Sequence, residues 1–162
     1  MEENIILSDG KVIIFPLLAS ELELLALSTQ QFSSYINLFY DFDAPKNKYI
    51  KNCLKNIQKN QTNWFFYTIW VIVKIDEQKI IGNIFINSKK QIKYEINKNY
   101  FNQGLCTRAV TLMCDFAKQK QIKNIFAKTN IQNSSAQNVL EKNKFKKYNK
   151  KDENYYYKKE II

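Results

Sequence analysis

Residues 101–108 read Phe-Asn-Gln-Gly-Leu-Cys-Thr-Arg and stand between an alternating segment and the best amphipathic stretch of the chain. Gly104 is one of only three glycines, and a glycine between a strand and a helix lets the backbone turn and approach a ligand closely. The helix start beyond it exposes unpaired N–H groups and a partial positive charge, which together favour a phosphate. Arg108 falls in that first turn, where the helix dipole disfavours a cation. A bound pyrophosphate reverses that sign. The alternative is a solvent-facing arginine tolerated at roughly a few tenths of a kcal/mol, and the residues alone leave both open. Many nucleotide-binding folds carry such a site, so the loop by itself names no ligand.

Cys106 lies at the same helix start, where thiolates are stabilised, but no base accompanies it and covalent catalysis is not expected of it. The chain has no histidine. That excludes Ser-His-Asp and Cys-His mechanisms and every zinc site containing histidine. Cys53, Cys106 and Cys114 are odd in number and lack CxxC spacing, which argues against a disulfide framework or a thiolate metal site. No metal is expected.

A chain of 162 residues fits one domain, residues 1–162, with no room for a second core. The formal charge of +10 invites a nucleic-acid reading, yet Arg108 is the only arginine and the lysines are scattered along the chain. Phosphate recognition usually favours arginine forks, so nucleic acid is not the expected partner. The acidic, polar start is unlike a signal peptide. No apolar run approaches the ~20 residues that span a bilayer. The expectation is a cytoplasmic protein without a membrane partner, as a monomer or homodimer.

The elements that must hold the loop follow from periodicity. Residues 11–15 (KVIIF) read as a strand stopped by Pro16. Ser20 and Glu23 form a capping-box pattern before a short helix to about Leu27, and residues 48–59 repeat the helical spacing after Pro45. Residues 64–75 (WFFYTIWVIVKI) suit a strand, with residues 79–87 (KIIGNIFIN) as its hairpin partner. In residues 91–97 Ile92, Tyr94 and Ile96 share one face and Gln91, Lys93 and Glu95 the other, the mark of a half-buried strand. Residues 107–119 form the best helix, striped by Ala109, Leu112, Met113, Phe116 and Ala117. Residues 122–129 read as a strand, a short helix begins near Ser134, and the tail ends in a strand at Tyr155–Tyr157. Trp64 and Trp70 are read as core or as lining of a substrate site. The order β-α-α-β-β-β-α-β-α-β implies an α/β (α+β) domain, a mixed sheet with helices on its faces.

Residues 92–117 resemble the strand-loop-helix core of the GNAT acyltransferase superfamily, whose loop pattern is Gln/Arg-x-x-Gly-x-Gly/Ala. Residues 133–145 (NSSAQNVLEKNKF) are similar to a second signature, Asn-x-x-Ser-x-x-Val-Leu-Glu-Lys-x-Gly-Phe, of the branch that acetylates ribosomal-protein N-termini. Residues 12–25 and 70–82 resemble the first strand, first helix and central hairpin of that branch. The resemblance implies a GNAT fold whose central sheet splays at an acyl-CoA site. It implies acetyl-CoA as acyl donor and an amine acceptor, a small molecule or a protein N-terminus, attacking the thioester directly. Backbone amides of Gln103, Gly104, Leu105, Cys106, Thr107 and Arg108 would hold the pyrophosphate. The strand edge near Ile96, Asn97 and Lys98 would pair with the pantetheine arm, and Asn133 would hydrogen-bond it. Glu95, on the strand flanking the thioester, is the candidate base acting through water; an exposed polar strand residue is the plain alternative. The chain departs from the patterns at Phe101 (Gln or Arg), Cys106 (Gly or Ala), Arg108 (a common Glu), Ala136 (Ser) and Lys144 (Gly). Leu140 stands where other branches carry the tyrosine that protonates the leaving thiolate, so two usual general-acid positions are empty.

Overall fold

The computed structural model describes residues 4–162. Its first half contains β1 (Leu7–Ser8), β2 (Val12–Pro16), α1 (Ala19–Leu27), α2 (Thr29–Ile36), β3 (Phe39–Tyr40) and α3 (Asn47–Lys59). A central antiparallel meander follows: β4 (Trp70–Lys74), β5 (Lys79–Ile86) and β6 (Gln91–Ile96). The last part is α4 (Leu105–Gln119), β7 (Asn124–Asn130), α5 (Ser134–Lys142), β8 (Lys146–Lys151) and β9 (Asn154–Glu160).

Among the described residues the strands form one nine-stranded sheet in the order β1-β2-β4-β5-β6-β7-β9-β8, with β3 pairing β5. Its pairs are antiparallel except β3 with β5 and β6 with β7. The β-branched run of β4 is buried on both faces, which fits a central strand. On one face lies α4, whose expected stripe of Ala109, Leu112, Met113, Phe116 and Ala117 is buried, and Phe116 meets the Trp70 ring at 4.8 Å. On the other face the Tyr49 ring of α3 meets Phe85 edge-on at 5.9 Å. Helices therefore cover both faces, as the element order implies. Trp64 and Trp70 are both buried and belong to the core.

Several expected boundaries move. Residues 64–75 do not form one strand: Gln61–Phe66 is a 3-10 helix and the strand begins only at Trp70. The aromatic run satisfies itself locally, because the Trp70 indole N–H donates to the Phe65 carbonyl at 2.9 Å. The first helix starts one residue before Ser20, and its N-terminus is closed by Glu21, which accepts from the Leu18 N–H at 2.8 Å, and not by Glu23. A further helix, α2, is capped by Ser28, which accepts from Gln31 N–H. The tail is a hairpin of two strands turning at Asp152, which has φ 53°.

Candidate active site

Between β6 and β7 the ladder has only two paired positions, Gln91 with Phe126 and Ile92 with Ala127. From Lys93 to Ile96 the edge of β6 that faces β7 has no strand partner among the described residues. Two grooves meet at this opening. One, of about 640 Å³, runs from Glu95 and Ile96 along Gly104, Leu105, Cys106 and Thr107 to Asn133. The other, of about 330 Å³, opens between Phe85, Lys93, Glu95 and Lys128. Tyr94, Glu95, Asn133 and Ala136 line both.

Gly104 is the residue before α4 and has φ 73°, a left-handed conformation that glycine adopts without penalty. A Cβ built on it meets no atom within 4 Å, so the space over the loop is open. No side chain caps the helix there. The first intrahelical bond is Arg108 N–H to Gly104 carbonyl, at 3.1 Å. That leaves the N–H groups of Leu105, Cys106 and Thr107 facing the groove end without helical acceptors.

Arg108 has a partner that neither sequence reading named. Its amide is committed to Gly104, and its guanidinium binds the Asp9 carboxylate at 2.6 Å. Asp9 sits in the turn between β1 and β2 and also accepts from the N–H groups of Lys11 and Val12. Burial pushes the Asp9 pKa upward, but the Val12 N–H, Arg108 and the Lys11 N–H outweigh it and hold the carboxyl below its ordinary value. The arginine in the first turn therefore has its anion supplied by the protein. The Gln103 side-chain amide donates to the Asn99 carbonyl at 3.3 Å, which leaves its backbone N–H out of that bond.

On β6, Glu95 and Ile96 line the larger groove, whereas Asn97 and Lys98 do not. The Asn97 N–H donates to Ile81, its side-chain amide donates to Asp41, and Lys98 begins a single 3-10 turn. Asn97 thus turns its N–H to β5, and both residues end the strand outside the groove lining. Tyr94, expected as core packing, crosses the opening: its hydroxyl donates to the Ala136 carbonyl of α5 at 2.9 Å, and burial drives its pKa upward. Asn133 is the N-cap of α5, its side-chain oxygen accepting from Ala136 N–H at 3.0 Å. The Cys106 thiol is pushed up to about 12 by burial, so it stays protonated and is no nucleophile near neutral pH.

Two determinants escaped the sequence reading. Gly82 faces Ile96 across the β5–β6 pair, and a Cβ there would lie 2.2 Å from the Glu95 carbonyl oxygen. Only glycine lets β6 approach β5 this closely, which sets the position of Glu95. Asn143, buried, donates to the carbonyls of Thr107 and Val139 and accepts from Thr111, fastening the start of α4 to the end of α5.

The family model for the acetyltransferase (GNAT) domain matches residues 12–146, which is most of the chain. The chain belongs to the GNAT acetyltransferase family. Similar solved structures agree with the GNAT fold throughout. The ribosomal-protein-S5-alanine acetyltransferase from Vibrio fischeri has a TM-score of 0.71 at 15% identity, covering 98% of this chain and 97% of that one. The RimL ribosomal L7/L12 alpha-N-protein acetyltransferase in complex with coenzyme A reaches 0.69 at 13% identity, covering 97% and 98%. The microcin C7 self-immunity acetyltransferase MccE in complex with acetyl-CoA and AMP reaches 0.62 at 15%, covering 94% and 93%. No curated protein matches the sequence of this chain. The GNAT signature also explains a backbone oddity. Lys144, at the signature's glycine, has φ 62°, the conformation for which glycine is ordinarily required. Leu140, at the usual tyrosine position, is fully buried.

Proposed function

We propose that this GNAT protein transfers an acetyl group from acetyl-CoA to a primary amine by direct attack of the neutral amine on the thioester. The observation that carries the reading is the opening between β6 and β7, where two grooves meet at Glu95. One groove ends at the uncapped start of α4, which suits the donor's phosphates on the amides of Leu105, Cys106 and Thr107. The unpaired edge of β6 at Tyr94 and Ile96, with Asn133 opposite, suits the donor's pantetheine arm. The second groove brings the acceptor to the same point from the other side, and Glu95 takes its proton through water. Positioning both substrates, with a backbone N–H at the oxyanion, supplies most of the rate. A small amine and a protein N-terminus both fit this chemistry, in a cytoplasmic setting.

Calorimetric titration with acetyl-CoA, with desulfo-CoA and ATP as comparators, tests the donor. Saturable binding at one site per chain that ATP does not reproduce is expected. Gly104→Val should weaken it by about a hundredfold or more, because the side chain enters the space a phosphate needs. The same change forces a β-branched residue to φ 73° and should cost the fold about 1–2 kcal/mol. Unchanged affinity in a folded variant would sink the phosphate assignment. Ala136 and the buried Leu140 favour one second reading, a module that binds CoA without turnover. Transfer of acetyl from acetyl-CoA to any amine rules it out.

A further inference from the structure

The sheet face formed by β7, β9 and β8 away from α4 and α5 carries aromatic rings and lysines in alternation. Along β7, Ile125, Ala127 and Thr129 are buried while Phe126 is half-buried and Lys128 exposed. The buried side faces the helices, since the neighbouring Tyr157 is buried and its hydroxyl donates to Glu141 of α5. On the open side Phe126, Tyr148 and Tyr156 form a row with two successive centroid separations of 6.4 Å. Tyr148 is 57% exposed.

Cations stand along the row. The Lys128 ammonium is 5.6 Å from the Tyr156 ring centre. Lys158 is the register partner of Phe126 on one side and of Lys146 on the other. At Phe126 the row enters a groove of about 490 Å³ lined by Phe66, Lys90 and Lys123 among others. There Lys90 lies 3.8 Å over the Phe66 ring. Acidic groups on the same face are Glu160, 3.7 Å from Lys158, and Glu95 on β6. The balance of this face is cationic.

We propose that this face, which shares Lys128 with the acceptor groove, binds single-stranded nucleic acid as a property separate from acetyl transfer. Lysines supply charge for phosphates, and the exposed Tyr148 with the half-buried Phe126 and Tyr156 supplies stacking that each base can use, at about 1–3 kcal/mol per base. An acidic polypeptide would use the lysines and leave the rings idle. A duplex keeps its bases stacked inside and offers the rings nothing. No arginine lies on the face to read base edges, so recognition is tolerant of sequence.

Fluorescence anisotropy with labelled oligouridylate and oligothymidylate of about 12 nucleotides, a length within the range single-strand binders cover, tests the proposal. The full chain should bind both, weakening about tenfold or more between roughly 50 and 200 mM salt. Tyr148→Ala with Tyr156→Ala should weaken binding about tenfold or more while circular dichroism stays unchanged. If that variant misfolds, Lys128→Glu, at an exposed site, should still lower affinity and flatten the salt dependence. No binding at ~100 µM protein in low salt would overturn the proposal. So would preference for the duplex, tighter binding of polyglutamate, or indifference to both the tyrosine and the lysine changes.

Discussion

Two neighbouring strand pairs near the centre of the sheet behave oppositely. From Trp70 to Lys74, β4 pairs with β5 at every position; β6 and β7 pair at only two. In β4 the first four residues are buried, with apolar side chains on both faces. In β6 the face bearing Lys93 and Glu95 is exposed. A strand covered on both faces gains from every additional pair, because its backbone groups have no water to turn to. A strand with one wet, charged face can part from its neighbour at much lower cost. The closed pair holds the fold, and the open pair provides the cleft. Gly82 sits between them, facing Ile72 on one side and Ile96 on the other.

Forcing apart the β5–β6 join between the two pairs should have the largest effect. Gly82→Val places carbon against the Glu95 carbonyl and Ile96 backbone, which cannot swing away as a side chain could. A loss of about 3 kcal/mol or more is expected by denaturant melt, at or beyond the top of the overpacking range. Wild-type stability in this variant would refute the account of how β6 is placed. The open side should respond in rate and not in stability. Glu95→Gln is expected to lower kcat for acetyl transfer about a hundredfold, the lower range for a general base. Acetyl-CoA affinity and melting temperature should stay the same. Equal kcat would return Glu95 to the rank of an exposed strand residue.

The smallest effect lies at the first turn of α4, in the Asp9–Arg108 pair. The Asp9 pKa is depressed below 3.8 in the folded chain. Its stabilising contribution is therefore present above the unfolded value and lost as pH falls through the folded one. Asp9→Asn should lower the melting temperature slightly at neutral pH, with the difference from wild type vanishing on acidification below about 3.8. A difference that persists at low pH would show that the pair acts through packing.

Local signals in the sequence placed the helix of residues 107–119, the half-buried strand before it and the Gly104 loop. Helical stripe, period-two alternation and glycine position are properties of consecutive residues. The boundaries of residues 64–75 were illegible because aromatic residues pack equally well in a 3-10 turn and a strand. The short strands β1 and β3 carry too few residues to show a period, and α2 was hidden for a like reason, its polar surface masking a single buried side chain at Phe32.

The sequence by itself therefore determined the class of fold, the position of the Gly104 loop and the exclusion of histidine chemistry. The family resemblance implied a splayed sheet, but only the tertiary structure fixed where pairing between β6 and β7 stops, after Ile92 and Ala127. It also supplied Asp9 to Arg108 from 99 positions away and gathered lysines scattered along the chain onto one aromatic face. Periodicity is written into neighbours along the chain, whereas a gap, an ion pair and a surface patch arise only when distant segments pack.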